Sequence, residues 1–166
     1  MAYLIVNMVV AGVFATVVLD VWQRVLHAAT GIPPTNWGIV GRWFGHMPRG
    51  RFVHTAIGEA EPVAGEAAIG WIMHYLIGVI YGVAYVGLFT VALAGTPTLL
   101  NGFLFGLASV VIPWFVMQPC LGLGAMGSKA PNPNIPRYGA LAAHCIYGVA
   151  LYGGSALHAM AMAMAG

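Results

Sequence analysis

Trp71-Ile72-Met73-His74-Tyr75-Leu76-Ile77-Gly78-Val79-Ile80-Tyr81-Gly82 is a run too apolar for the surface of a soluble protein, and it carries a histidine a few residues inside it. Ala143-His144-Cys145-Ile146-Tyr147-Gly148-Val149-Ala150 repeats the pattern near the C-terminus, again with glycine four residues after histidine. On a helix those two positions share a face one turn apart, so the backbone beside each imidazole is left bare. An ionisable ring at membrane depth is costly and marks a functional site by default.

The rest of the chain matches these two stretches in character. Of its 166 residues 60% are hydrophobic and 6% charged, with a mean hydropathy of +0.86. Soluble domains carry about 25% charged residues, which excludes an ordinary globular protein. A helical span needs about 20 residues, so this length holds four spans and their loops as one transmembrane domain covering 1–166. The expected architecture is an all-α membrane four-helix bundle with spans at about 3–26, 67–94, 99–118 and 138–160.

In the first span no Lys or Arg precedes the apolar run, so it reads as a retained helix rather than a signal peptide. Gly12, Thr16 and Asp20 share one of its faces, which Gln23 and His27 continue; small and polar residues mark the side that packs on other helices. Pro33 and Pro34 stop the helix. The connection that follows contains Trp37, Trp43, Phe44 and Phe52 among Arg42, Arg49 and Arg51, a mixture suited to the headgroup layer. One or two short interfacial helices are expected there, broken at Pro48. Gly78-x3-Gly82 is a close-packing signature on the second span. The short turn at Gly95-Thr96-Pro97-Thr98 makes the third span antiparallel to the second, and Pro113 is expected to kink it. Ala15–Asp20 also resembles 108–113, which suggests two similar helix pairs.

All six basic residues (Arg24, Arg42, Arg49, Arg51, Lys129, Arg137) follow the first or third span. Four spans put those segments on one side, which the positive-inside rule makes cytoplasmic, with both termini opposite. His74 and His144 then lie on the order of 10 Å below the cytoplasmic boundary, near Asp20, under a loop that carries Arg42, His46, Arg51 and His54.

Three readings of that constellation compete. In one, His74 and His144 ligate a transition metal (zinc or iron) or haem, with Asp20 as a further ligand or an acceptor that orients a ring, and with His46 and His54 as further ligands or, in preference to that, solvated and facing the headgroups. Gly78 and Gly148 would leave room for the edge of a haem macrocycle. In another, the protein transports or modifies a lipid or small solute: Arg42, Arg49, Arg51 and Gln118 hold its anionic group while the buried histidines and Asp20 move protons. In the third, the polar groups only fasten helices together, within a homo-oligomer or a larger membrane complex. The charge of +2 and the absence of any basic run exclude nucleic acid. Cys120 and Cys145 have no metal-type spacing. The tail His158-x-Met160-x-Met162-x-Met164 has soft copper donors, but alternate residues on a helix point in different directions. Neither a nucleophile elbow nor a phosphate-binding glycine loop is present.

The run Gly41-Arg42-Trp43-Phe44-Gly45-His46-Met47-Pro48-Arg49-Gly50-Arg51-Phe52-Val53-His54, with Gly70-Trp71, His74-Tyr75 and Met117-Gln118-Pro119, resembles a bacterial inner-membrane family described as domain of unknown function 2938. The resemblance covers nearly the whole chain and is most specific in the Arg/His loop. It implies a four-span bacterial membrane protein and transfers no catalytic role.

Overall fold

The computed structural model describes residues 1–165, and every regular element among them is helical. Helix α1 (Ala2–Thr30) ends where Gly31 turns left-handed (φ 73°) and its amide reaches back to the His27 carbonyl at 2.8 Å. Helix α2 (Trp37–His46) is capped by Asn36, whose side-chain oxygen accepts from the Ile39 amide at 3.3 Å. It runs straight into a 3-10 turn, Met47–Arg49, that contains Pro48, and a second 3-10 turn spans Ile57–Glu59. The short helices expected in this connection are therefore present. Helix α3 starts at Glu66 and runs to Val86, then widens into a π-helical stretch over Gly87–Ala92. Helix α4 covers Leu99–Cys120 and is interrupted around Pro113, while α5 is Asn134–Ala165. α1, Glu66–Ala92, α4 and α5 are each long and apolar enough to cross a membrane. The first and last helices outrun their apolar cores by several residues, because backbone bonding continues until a cap or proline ends it.

Pro113 acts as expected. It has no amide to donate, and the backbone widens to a π turn over Pro113–Met117 before tightening again at Gln118–Cys120.

Two compact units divide the chain. The first comprises Met1–Pro34, Tyr75–Ala108 and His144 onward. In it α1, α3, α4 and α5 pack as a four-helix bundle around Ala11, Ala15, Tyr85, Val86, Tyr147, Ala150 and Leu151. Its seams are made of glycine. A methyl on Gly82 would fall on the Met8 carbonyl, and one on Gly12 on the Gly78 carbonyl, so α1 and α3 touch backbone to backbone. The α4–α5 seam is built alike, with Gly106 against the His144 carbonyl and Gly148 against that of Gly102. Both seams thus use close glycine contacts.

The side chains of this unit are arranged inside out. On α1 the buried face is Asn7, Ala11, Gly12, Ala15, Thr16 and Asp20, while Val9, Val13, Val17, Val21 and Val25 form an exposed stripe. Apolar residues outside and polar ones inside is the order that hydrocarbon surroundings select. The buried polar groups satisfy each other: Tyr147 donates to the Gly78 carbonyl at 2.9 Å, and Ser155 Oγ to Asn7 Oδ1 at 2.8 Å.

The second unit comprises Thr35–His74 and Ser109–Ala143. Its small core is Trp43, Ile57 and Leu121, sealed by Ile39, Phe44, Met47 and Met117. Helix α2 lies against the start of α3 through two glycines: a methyl on Gly41 would meet the Glu66 carbonyl and one on Gly70 the Trp37 carbonyl.

Candidate functional site

The connection before α3 is held in a fixed shape by a single arginine. Arg42 Nε donates to Glu66 Oε2 and its Nη2 to Oε1, both at 2.8 Å, a bidentate pair. Its Nη1 donates to the carbonyls of Gly58 (3.1 Å) and Ala60 (3.0 Å). Beside this carboxylate the guanidinium is held above its ordinary pKa. Arg42 therefore ties α2, the 57–60 turn and the first residue of α3 together. The sequence reading offered it to an anionic headgroup; the structure commits four of its five N–H groups to the protein. Trp43 adds a further tie, its indole donating to the Phe52 carbonyl at 2.8 Å.

That framework positions two histidines. His46, the last residue of α2, is fully buried, and its Nε2 lies 2.9 Å from the Glu61 carbonyl. A carbonyl only accepts, so Nε2 carries a proton, and in the singly protonated ring Nδ1 would present a lone pair. That Nδ1 is buried with no hydrogen-bond partner among the described residues. The His54 ring stands edge-on to His46 with ring centres 5.1 Å apart, and both of its nitrogens are likewise buried and unpartnered. The backbone around His54 is fixed by its amide bonding to the Cys120 carbonyl (2.9 Å) and that of Ile57 to Leu121 (3.2 Å). Gln118, two residues before Cys120, donates from Nε2 to the Pro136 carbonyl at 3.1 Å, and its buried Oε1 has no partner among the described residues. An unpaired buried polar atom costs about 1–3 kcal/mol. The concentration of such atoms on His46 and His54 makes this pair the chemically unfinished part of the molecule.

The other predicted residues have different surroundings. His74 belongs to the second unit, where Trp37 stacks on its face with centres 3.7 Å apart and Trp71 meets it edge-on at 5.7 Å. His144 belongs to the first unit, where Tyr81 meets its ring edge-on at 6.0 Å. Asp20, also in the first unit, accepts from the Tyr75 hydroxyl at 3.1 Å, while Arg24 donates to the Asp20 carbonyl at 3.2 Å. The bare backbone beside Gly78 and Gly148, reserved in the sequence reading for a macrocycle's edge, is filled by helix packing: Gly78 faces Thr16 and Gly148 faces Gly102 and Gly106. Arg49 and Arg51 are exposed and pair with no carboxylate among the described residues. Nor do three His, Cys, Asp or Glu side chains gather as a metal site among them.

Sequence reasoning missed three participants. Glu66 as the counter-ion of Arg42, the Glu61 carbonyl that sets the His46 tautomer, and Lys129, which lines a cleft beside His54, all come from folding distant segments together. Spacing along the chain carries no trace of such pairings.

Comparison with known proteins gives one result. The chain belongs to a family described as proteins of unknown function (DUF2938), whose model matches residues 9–158. No curated protein and no solved structure matches it.

Proposed function

From a DUF2938 member with four membrane-length helices, we propose a multi-pass protein of the bacterial inner membrane that holds one transition-metal ion between His46 and His54. The observation that carries this reading is His46 Nδ1, buried with no hydrogen-bond partner among the described residues while Nε2 bonds the Glu61 carbonyl. A histidine that donates one ring N–H to a backbone carbonyl while presenting the other nitrogen is the usual arrangement of a metal ligand. The spacing of the rings agrees. Two imidazoles sharing a tetrahedral ion at about 2.0–2.1 Å from each nitrogen place their ring centres about 5 Å apart, against 5.1 Å here. Borderline ions such as zinc suit two neutral imidazoles. With only two protein ligands the ion keeps coordination positions open, as ligand-exchanging sites do.

The pair sits in the unit that bears the charge. Five of the six basic residues fall in that unit against three of the four acidic ones, so it carries the whole formal charge of +2. The positive-inside rule makes its loops cytoplasmic and both termini periplasmic. A reporter active only in the periplasm, fused after residue 165, is expected to be active, and the same reporter inserted at Gly50 inactive; the reverse pattern overturns this orientation. The metal reading is tested on detergent-purified protein by zinc content and X-ray absorption, with His46→Ala and His54→Ala expected to lose the ion. His74→Ala and His144→Ala are expected to keep it. Loss confined to the latter two, or a Soret band, would return the site to the pair of spans.

A further inference from the structure

Three polar side chains tie the start of α1 to the end of α5, both in the first unit. Asn7 is buried; its Nδ2 donates to the Ser155 carbonyl at 3.0 Å, and its Oδ1 accepts from Ser155 Oγ at 2.8 Å. The same Nδ2 lies 3.0 Å from Nδ1 of His158, one turn further along α5. Beside this cluster Gly154 packs directly on Ala11 and Phe14, so the three side chains close the end of the α1–α5 seam.

These bonds fix the place of a proton. The Ser155 carbonyl only accepts, so the nitrogen of the Asn7 amide must be the atom that faces it. That nitrogen has no lone pair to offer, so His158 Nδ1 accepts from it and carries no hydrogen, which leaves the ring neutral with its proton on Nε2. A proton added to Nδ1 would set donor against donor. Turning the amide over would relieve that clash but would bring Oδ1 against the Ser155 carbonyl, acceptor against acceptor. Either way a charged His158 costs the cluster a hydrogen bond.

No nearby group answers the added charge. His158 pairs with no carboxylate among the described residues, and its other contact is the Tyr3 ring, with centres 4.9 Å apart. The Met1 amine precedes Tyr3 at the same end. Asp20, Arg24 and His27 on α1, and His144 and Cys145 on α5, stand about 20 Å or more away along the helix axes. Within this unit α3 and α4 carry no titratable side chain other than Tyr75, Tyr81 and Tyr85, and α5 adds Tyr147 and Tyr152.

We propose that His158 is a proton-operated latch: the neutral ring holds the start of α1 on the end of α5, and the protonated ring releases them. The ring is only half-buried, so protons reach it from the side that both helix ends face. Histidine changes charge between pH 5 and 8, which makes mild acid on that side the signal. The latch is independent of the metal reading above.

The test uses the full chain in phosphatidylcholine nanodiscs. Nitrogen NMR of histidine-labelled protein, with the His158 signal assigned by its loss in His158→Gln, is expected to show Nδ1 bare and Nε2 protonated at pH 7.5. Hydrogen exchange over residues 2–10 and 154–165 is then compared between the parent and His158→Asn, whose Oδ1 puts a non-titrating acceptor near the place of Nδ1. Comparison at one pH cancels the pH dependence of exchange itself. The two proteins are expected to exchange alike at pH 7.5, and the parent about fivefold faster at pH 5, the worth of one hydrogen bond. A ratio that does not rise toward acid, or a His158 ring with Nδ1 protonated at pH 7.5, overturns the latch.

Discussion

His46 and His54 look unremarkable in the sequence, two of six histidines in a chain where a ring inside an apolar span draws more notice. Their importance comes from what surrounds them. The carbonyl that orients His46 belongs to Glu61, fifteen residues away on an irregular segment, and it acts through the backbone. That detail yields a prediction. Glu61→Ala keeps the carbonyl and is expected to leave zinc affinity within about twofold of the parent, whereas losing a true side-chain partner of a metal ligand costs about 10–100-fold. Isothermal titration on the purified variant checks it, and a tenfold loss would show that the carboxylate, not the carbonyl, orients the ring. Arg42 teaches the complementary lesson. Its charge and place in an aromatic loop suggested a headgroup partner, and only the fold reveals that Glu66 and two carbonyls have taken its donors. A charged residue's sequence context fixes its neighbourhood, not its partner.

Elements were far more legible than partners, because each is decided locally. The four spans follow from apolar length, the end of α2 from Pro48, and the break in α4 from the missing amide of Pro113. The seams were legible only in part. Gly78-x3-Gly82 announced one, but the α4–α5 seam at Gly102, Gly106 and Gly148 was indistinguishable from the other glycines of a glycine-rich chain. Gly148 was even assigned to a cofactor's edge. Contact geometry separates the glycines that matter from those that do not. Gly82→Leu on α3 would drive a side chain into the Met8 carbonyl and is expected to cost about 1–3 kcal/mol. Gly139→Ala on α5 meets nothing within 4 Å and is expected to gain about 0.5–1 kcal/mol from helix propensity. Thermal unfolding in detergent reads both; equal effects of one sign would show that the seams are not backbone contacts.

At the scale of the molecule the chain divides its labour. One unit is a glycine-seamed bundle with apolar residues outward and polar groups bonded within; the other holds the long connections, the net charge and, among the described residues, the imidazole nitrogens without partners. Composition points to a membrane protein, and the basic residues, scattered along the chain, all follow its first or third span. They do not reveal which histidines lack partners, because the rule that an ionisable ring inside a span is costly points at His74 and His144. Folding answers part of that cost for His74 with the face of Trp37, and among the described residues the loop pair keeps buried ring nitrogens without partners, which is why the ion is proposed there. The most direct measurement of that claim is the zinc K-edge absorption of the purified, zinc-loaded protein. Two imidazole nitrogens at about 2.0–2.1 Å with oxygen completing the shell are expected, the imidazole signature halving in His46→Ala and in His54→Ala. An oxygen-only shell, or an imidazole signature unchanged by both substitutions, would contradict it.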